Sequence, residues 1–364
     1  MKTIYFIMNS VSDPHANRRI NEFVSNGYYV KIYGFERDNK PKSNSNAVVL
    51  GRFSNALSYR KRVSIYIKAL RQLFKEHSKD NCIWFYQGLD IALFASFLNK
   101  RNSIYIYEEC DLVHTNIKNK FVCNMMEYLD KRIISKSYKT ILTSDGFVDY
   151  HYGSDERKKP NNIVVIPNKL PKEMLNVQAF QKEGLDKKKI RFAFVGIMRY
   201  HSLASFADTI CKHFPSHEFH FYGYVASTMD AKELPQGENV FYHGAYKSPD
   251  DLPDIYKSVD VLVATYDTRF SINTRCAEPN KLYEAIYFRC PIVVSKNTFL
   301  AQKVERLGIG YSVDAFNAND VITLVESIQD TWNDKVYNLC KINKQEAIDE
   351  NDVNRIINKD IMDL

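Results

Sequence analysis

The stretch AEPNKLYEAIYFRCPIVVS, residues 277–295, reads as a loop, then a helix, then a buried strand. Pro279 suits a first helical turn, where its missing N–H costs nothing. Leu282, Ala285 and Ile286 recur at helical spacing. CPIVVS is a short β-branched run of the kind found in a parallel strand covered on both faces. At the front of this helix stand Asn280, Lys281 and Glu284. A helix N-terminus offers unpaired N–H groups and partial positive charge, which suits a phosphate. The pattern therefore predicts phosphate at Asn280, Lys281 and Leu282. Glu284, one turn in, would accept hydrogen bonds from sugar hydroxyls nearby.

The same strand–loop–helix unit repeats along the chain. Strands are expected at 3–8, 28–35, 47–50, 81–86, 103–108, 139–144 and 162–167, with helices between most of them. The run 168–189 is polar and irregular. IRFAFVG (190–196) then restarts the alternation, and strands follow at 218–223, 240–244, 259–265 and 291–295. This order predicts an α/β protein with two Rossmann-like, doubly wound domains facing a central cleft. The boundaries are 1–168 and 169–344, with a C-terminal helix at about 345–364 packing back on the first domain. Ligands of such sheets bind beyond the carboxyl ends of the strands, so the loops after the strands hold the candidate residues.

With 364 residues, 45% hydrophobic and 26% charged, the chain is long enough for two cores. The formal charge of +7 is modest and dispersed, which favours phosphates or anionic lipid and excludes nucleic acid as a partner class. Seven scattered cysteines without a C-x-x-C pair read as free thiols of a reducing compartment. The N-terminus reads as a first strand rather than a signal peptide, and no stretch reaches the roughly 20 apolar residues of a membrane span. A cytoplasmic protein is expected, peripheral to a membrane if residues 55–79 bind lipid. On a helical wheel that segment places Val63, Tyr66, Ile67, Leu70, Leu73 and Phe74 on one arc and Arg60, Lys61, Lys68, Arg71, Lys75 and Lys79 opposite. It is either a sheet-covering helix with a solvated basic face or a surface for anionic lipid.

Gly196 ends a strand, where backbone can approach a ligand closely, and Arg199 just beyond is placed to grip a pyrophosphate. Arg269 and Arg275 lie in the loop before the phosphate helix. Alone, Glu284 and Arg199 read equally well as a dipole-facing carboxylate and a surface charge; at adjoining strand ends they favour the phosphate. On the first domain, EECDLVHT (108–115) gathers Glu108, Glu109, Asp111 and His114 after a strand. These carboxylates would bind sugar hydroxyls or act as a base, with His114 as the favoured contact to a transferred sugar. A solvated loop is the alternative, and the spacing fits no closed zinc site. Loop 9–19 supplies Asp13, His15, Asn17 and Arg18 as acceptor-binding candidates. Arg18 and Arg19 open a helix, an unfavourable end for cations, which points to an anionic ligand or to a pair with Asp13.

The run EPNKLYEAIYFRCPIVVS resembles the donor-site motif of GT-B glycosyltransferases, in particular the retaining family 4 group. MNSVSDPHANRRINEFVSNGYYVKIYGF resembles their opening strand, loop and helix. IRFAFVGIMRY resembles the first strand and glycine loop of their donor domain, and HGAYKSPDDLPDIYKSVDVLVATYD a later segment of it. The resemblance covers most of the chain. It implies that Asn280, Lys281 and Leu282 hold a nucleotide-sugar diphosphate, that Glu284 binds ribose, and that transfer proceeds with retention. The chain departs from the family where Cys276 replaces the first Glu of an E-x7-E pair, where His201 replaces a phosphate Lys, and where Cys110 stands in place of a His.

No Asp-x-Asp and no Walker A sequence occurs, so no catalytic metal is expected and no cofactor beyond a UDP- or GDP-type sugar as co-substrate. The expected function is sugar transfer to a glycan or lipid-pyrophosphate-linked acceptor in surface polysaccharide or glycolipid assembly. The alternatives are a sugar-nucleotide epimerase of the same architecture and a non-catalytic sugar-binding protein.

Overall fold

In the computed structural model of the protein the described residues are 3–38, 44–54, 56–99, 103–153, 155–177, 180, 182, 184–269, 271–350 and 352–357. The chain forms two units, Met1–Pro167 with Asn351–Leu364, and Asn168–Glu350.

The apolar runs of the first unit become strands. They are β1 (Thr3–Met8), β2 (Val30–Arg37), β3 (Val48–Phe53), β4 (Cys82–Gln87), β5 (Tyr105–Glu109), β6 (Lys139–Leu142) and β7 (Ile163–Val165). All pair in parallel, in the order β3-β2-β1-β4-β5-β6-β7. Parallel neighbours need crossovers. These are α1 (Pro14–Ser25), α2 (Tyr59–Glu76), α3 (Leu89–Leu98), α4 (Lys120–Lys136) and α5 (Asp145–Tyr152). Helix α1 starts sharply because Asp13 caps it, accepting from the N–H groups of His15 and Ala16. It stops at Asn26, followed by Gly27 at φ +84°. In α2 the apolar Tyr66, Leu70, Leu73 and Phe74 are buried, and Arg60, Lys61, Lys68, Arg71 and Lys75 are exposed, as the wheel predicts. The helix itself spans Tyr59–Glu76 rather than 55–79, and Asn55 lies outside the described residues.

The second unit holds β8 (Arg191–Val195), β9 (Glu218–Tyr222), β10 (Val240–Gly244), β11 (Val261–Ala264), β12 (Ile292–Ser295) and β13 (Gly310–Val313). Their order is β10-β9-β8-β11-β12-β13, again parallel throughout. The sequence reading missed β13, whose run GYSV is short and carries a glycine and a serine. The helices are α6 (His201–His213), α7 (Leu252–Lys257), α8 (Ile272–Cys276), α9 (Asn280–Phe288), α10 (Phe299–Leu307) and α11 (Ala318–Lys341). Period-2 geometry sends Val261 and Val263 into one layer, with Phe206 and Ile328. Leu262 and Ala264 enter the other, with Leu282 and Ile286 of α9. Leu282 and Ile286 are 0% and 5% exposed, and burial of each side chain contributes roughly 1.5–3 kcal/mol.

The return of the chain to the first unit comes later than expected. Lys344–Ala347 is a short 3-10 turn held on the second unit, where Leu170 N–H donates to Ala347 O (2.9 Å) and Asp349 N–H to Leu170 O (2.8 Å). Among the described residues, α12 (Val353–Ile356) rejoins the first unit, burying Val353, Ile356 and Ile357 beside Phe6, Phe85 and Ile106. Residues 358–364 lie outside the described residues.

Candidate active site

In the second unit three glycines stand at the carboxyl ends of adjacent strands. Gly196, Gly223 and Gly244 follow or end β8, β9 and β10, with φ of +145°, +130° and +76°. Gly196 N–H donates to Tyr222 O (2.8 Å) and Gly223 N–H to Gly244 O (2.7 Å). A Cβ on Gly223 would lie 1.8 Å from Gly196 O. The backbone turns here can form only because both residues lack a side chain. Gly196 also abuts Lys281, whose Cε would sit 3.7 Å from a Cβ at that position.

Helix α9 begins at Asn280. Pro279 occupies the N-cap rather than the first helical turn, and its side chain cannot cap. The front of α9 is therefore left for an external acceptor. The front of α6 is not. Asp267, in the loop after β11, accepts from the N–H groups of His201 (3.0 Å) and Ser202 (2.7 Å). Sequence reasoning missed Asp267, and the only local signal was a carboxylate soon after a strand.

Glu284 is 6% exposed. Its carboxylate accepts twice from Lys281 Nζ (2.7 and 2.6 Å) and once from the Tyr256 hydroxyl. Burial, and then the Glu284 charge, raise the Tyr256 phenol well above its ordinary range, so it stays protonated and donates. Tyr256 was not foreseen. Leu282 is buried, and its N–H donates to Pro279 O (3.1 Å). Arg199 is exposed, with Nε on the Tyr200 hydroxyl (3.0 Å) and its guanidinium over the same ring. Arg275 is exposed and lines a cavity of about 230 Å³ with Arg269, Ser202, Tyr266 and Lys296 at the ends of β11 and β12. Arg269 is paired there with Asp314 (2.9 Å). Glu278, the nearest Glu to the missing member of the family pair, is buried and accepts from Lys303 Nζ (2.7 Å) and the Tyr283 hydroxyl.

In the first unit the switch in strand order falls between β1 and β4. Asp13 lies there as the α1 cap, and its second oxygen accepts from Gln87 Nε2 (3.0 Å). Asn17 Nδ2 donates to Asp13 O (3.1 Å). Arg18 donates to His15 Nδ1 (3.0 Å), so His15 Nε2 carries the proton and donates to Glu108 (3.1 Å). The anion that the two arginines called for is in part the protein's own: Arg19, 3% exposed, binds Glu108 (3.2 Å) and Glu22 (2.6 Å). Burial alone would raise the Glu108 carboxyl; the charges and hydrogen bonds of Arg19 and His15 overcome it and hold the group at about 2.

Two of the three catalytic candidates lie elsewhere. Glu109 is 0% and His114 1% exposed. Glu109 accepts from His151 Nε2 (2.9 Å), and His114 lies between Tyr150 and Asp130 of the interior. The direct contact with a sugar expected of His114 and Glu109 does not exist in this conformation, because neither side chain reaches the surface. Alternation along β5 and the 3-10 turn Val113–Asn116 direct them inward. Asp111 is exposed on the loop.

Residues 176–351 match the model of the family "Glycosyl transferases group 1". No curated protein sequence matches the chain significantly. Among solved structures, the sucrose-phosphate synthase (tll1590) from Thermosynechococcus elongatus is similar at TM-score 0.67 and 13% identity, over 95% of this chain and 96% of that one. Anabaena Alr3699/HepE in complex with UDP and glucose is similar at 0.65 and 12%, over 100% of both chains. WaaG, a glycosyltransferase involved in lipopolysaccharide biosynthesis, is similar at 0.61 and 11%, over 94% and 97%. The second unit thus carries a glycosyl transferases group 1 domain, within a chain of GT-B fold.

Proposed function

We propose that the chain moves a sugar from a nucleotide-diphosphate sugar, of UDP or GDP type, to a glycan or lipid-pyrophosphate-linked acceptor. One observation carries this reading: the open front of α9 beside the Lys281–Glu284–Tyr256 group, with Gly196 against Lys281. Phosphates bound there meet the N–H groups of Asn280 and Lys281, the Lys281 ammonium and Arg199. Glu284 then exchanges Lys281 for ribose hydroxyls. UDP in the similar HepE structure supports the class of donor. Preorganised donors that stabilise the departing diphosphate are the main catalytic effect on offer. No catalytic metal and no further cofactor enters this scheme.

Transfer with retention, as in family 4, fits a site where the departing phosphate oxygen takes the acceptor proton. Asp13, His15, Asn17 and Arg18 form the acceptor-side surface, with Glu108 holding His15 in place. Among the described residues no helix is long and apolar enough to cross a membrane. The exposed basic face of α2 would hold the protein to anionic lipid, which suits surface polysaccharide or glycolipid assembly. Titration of the protein with UDP, GDP, ADP and CMP tests the donor site, and nucleotide release from the bound donor with and without oligosaccharide acceptors tests transfer. Failure of all four to bind refutes the donor site. Nucleotide release that never depends on acceptor, with epimerised donor recovered, makes the protein an epimerase.

A further inference from the structure

The interior of the first unit holds polar groups that the proposed transfer does not use. Glu109 at the end of β5, His114 of the 3-10 turn and Asp130 of α4 are each completely or almost completely buried. One ligand atom from each lies within 4.8 Å of the other two. His114 Nδ1 is 3.4 Å from Asp130 Oδ2. Six buried atoms of this neighbourhood lack a hydrogen-bond partner: Glu109 Oε1, His114 Nδ1, both Asp130 oxygens, His151 Nδ1 and the Tyr107 hydroxyl, which lies beside Asp130.

Hydrogen bonds around the cluster decide where the protons are. The Tyr150 hydroxyl donates to Glu127 Oε2 (3.4 Å), so it accepts from His114 Nε2 (3.2 Å). In the neutral imidazole that leaves Nδ1 bare, and its lone pair faces a carboxylate. His151 Nε2–H donates to Glu109 Oε2, which leaves Oε1 turned toward Asp130 and His114 without a donor. Three electron-pair donors thus converge in the interior, with the Tyr107 hydroxyl beside Asp130 as the nearby unpaired donor. An uncompensated arrangement of this kind is strongly unfavourable.

We infer that Glu109, His114 and Asp130 bind one divalent cation, zinc by preference, as a structural site of the first unit. Two carboxylates and one neutral imidazole give a site of zero net charge with Zn²⁺, which suits a buried position. A tetrahedral ion with bonds of about 2.1 Å holds its ligand atoms about 3.4 Å apart, which is the His114–Asp130 separation. Zinc accepts mixed N and O ligands and has no geometric preference of its own. Tyr150 on the far nitrogen of His114, and His151 on the far oxygen of Glu109, are the outer partners that orient such ligands. The ion would tie β5 to α4 and fix loop 110–116. A structural ion of this kind is separate from the donor site, and the inference stands whether or not the donor reading does.

In a second group, His15, Glu108 and Cys110, one ligand atom of each residue likewise lies within 4.8 Å of the other two. It is less suited, because Arg18 occupies His15 Nδ1 and Arg19 neutralises Glu108. The test uses the full chain, produced in zinc-supplemented medium and purified without chelator. Metal analysis should find about one zinc per chain in the wild type and in His15→Gln, and less than about one fifth of that in His114→Gln and Asp130→Asn. Chelation should lower the wild-type Tm by roughly 5 °C, and zinc should restore it. Replacement by Co²⁺ in the wild type should give the ligand-field absorption of a tetrahedral N/O site without thiolate-to-metal charge transfer, a readout that does not depend on the variants folding. Zinc-free wild type with no Co²⁺ spectrum overturns the inference in favour of a shared proton. A thiolate band, or zinc lost from His15→Gln and kept in Asp130→Asn, overturns it in favour of the other group.

Discussion

Glu284→Gln separates the function of the α9 carboxylate from its part in holding the fold. The substitution keeps size and shape and removes the charge. In the protein the two oxygens accept from Lys281 at 2.7 and 2.6 Å and from Tyr256. The side chains of Lys281 and Glu284 are only 12% and 8% exposed, so screening by water is slight. A hydrogen bond to a charged group contributes about 1.5–3 kcal/mol. Gln keeps one acceptor oxygen but presents an NH2 group to Lys281 or Tyr256, so the expected loss of stability is about 2 kcal/mol. With nucleotide bound, the same oxygens would hold ribose hydroxyls, and a loss of 1.5–3 kcal/mol weakens Kd roughly 10- to 150-fold. Tyr256→Phe is the control. It removes one support and leaves the carboxylate charged, so Tm falls while Kd changes less than about 3-fold. Calorimetric titration with the nucleotide that binds the wild type, beside thermal unfolding of all three proteins, gives both numbers. A Glu284→Gln protein with lowered Tm and wild-type Kd would refute the reasoning and make the pair a structural feature only.

Gly223→Ala tests the glycine turns: its Cβ would lie 1.8 Å from Gly196 O at a φ of +130°, and a cost of about 3 kcal/mol is expected. A Tm unchanged in that variant would show that the two backbones separate easily. The pH dependence of stability follows from Glu108. Its folded value of about 2 lies below the ordinary 4.5, so its contribution is complete above pH 4.5 and is lost as pH falls from there through 2. The full swing is about 3 kcal/mol. Thermal scans over this window should fall more steeply for the wild type than for Glu108→Gln, and parallel profiles would remove Glu108 as the cause. On α2, Lys68, Arg71 and Lys75 changed together to Glu should abolish binding to vesicles rich in anionic lipid, since each basic residue contributes about 1 kcal/mol near such a surface. Equal binding by the variant and the wild type would leave that face merely solvated.

Much of the architecture was legible in the order of residues alone. A parallel strand buried on both faces has to be a short, continuous apolar run, as TIYFIM, FAFV and IVVS are, and this pattern does not depend on what lies beyond it. Helix ends were legible for the same reason: Asp13 and Gly27 act on residues within a few positions of themselves. The start of α9 beside Pro279 belongs here too, although Pro279 is its N-cap and not part of its first turn, and the sequence alone does not say whether a distant side chain fills the front as Asp267 fills that of α6. The run GYSV failed as a signal because its burial comes from packing at the side of β12, not from its own composition.

Which polar side chain is available for a ligand was decided only by the tertiary structure. Carboxylates in the loops look alike in sequence, yet each acquires its partner from a distant segment. Glu108 is taken by Arg19, 89 positions away, and Asp267 by the front of α6, 65 positions away. Glu278 is taken by Lys303, 25 positions away. Glu284 gains Tyr256 from across the core, 28 positions away, which makes it a held and oriented acceptor rather than a first-turn charge. His114 and Glu109 went inward for the same reason: the pairing of β5 and the placement of α4 and α5 set which way they face, and neither is written locally. Local sequence fixes backbone geometry because propensity and burial period act over one or two turns; the pairing of charges is a long-range sum that exists only once the chain has closed on itself.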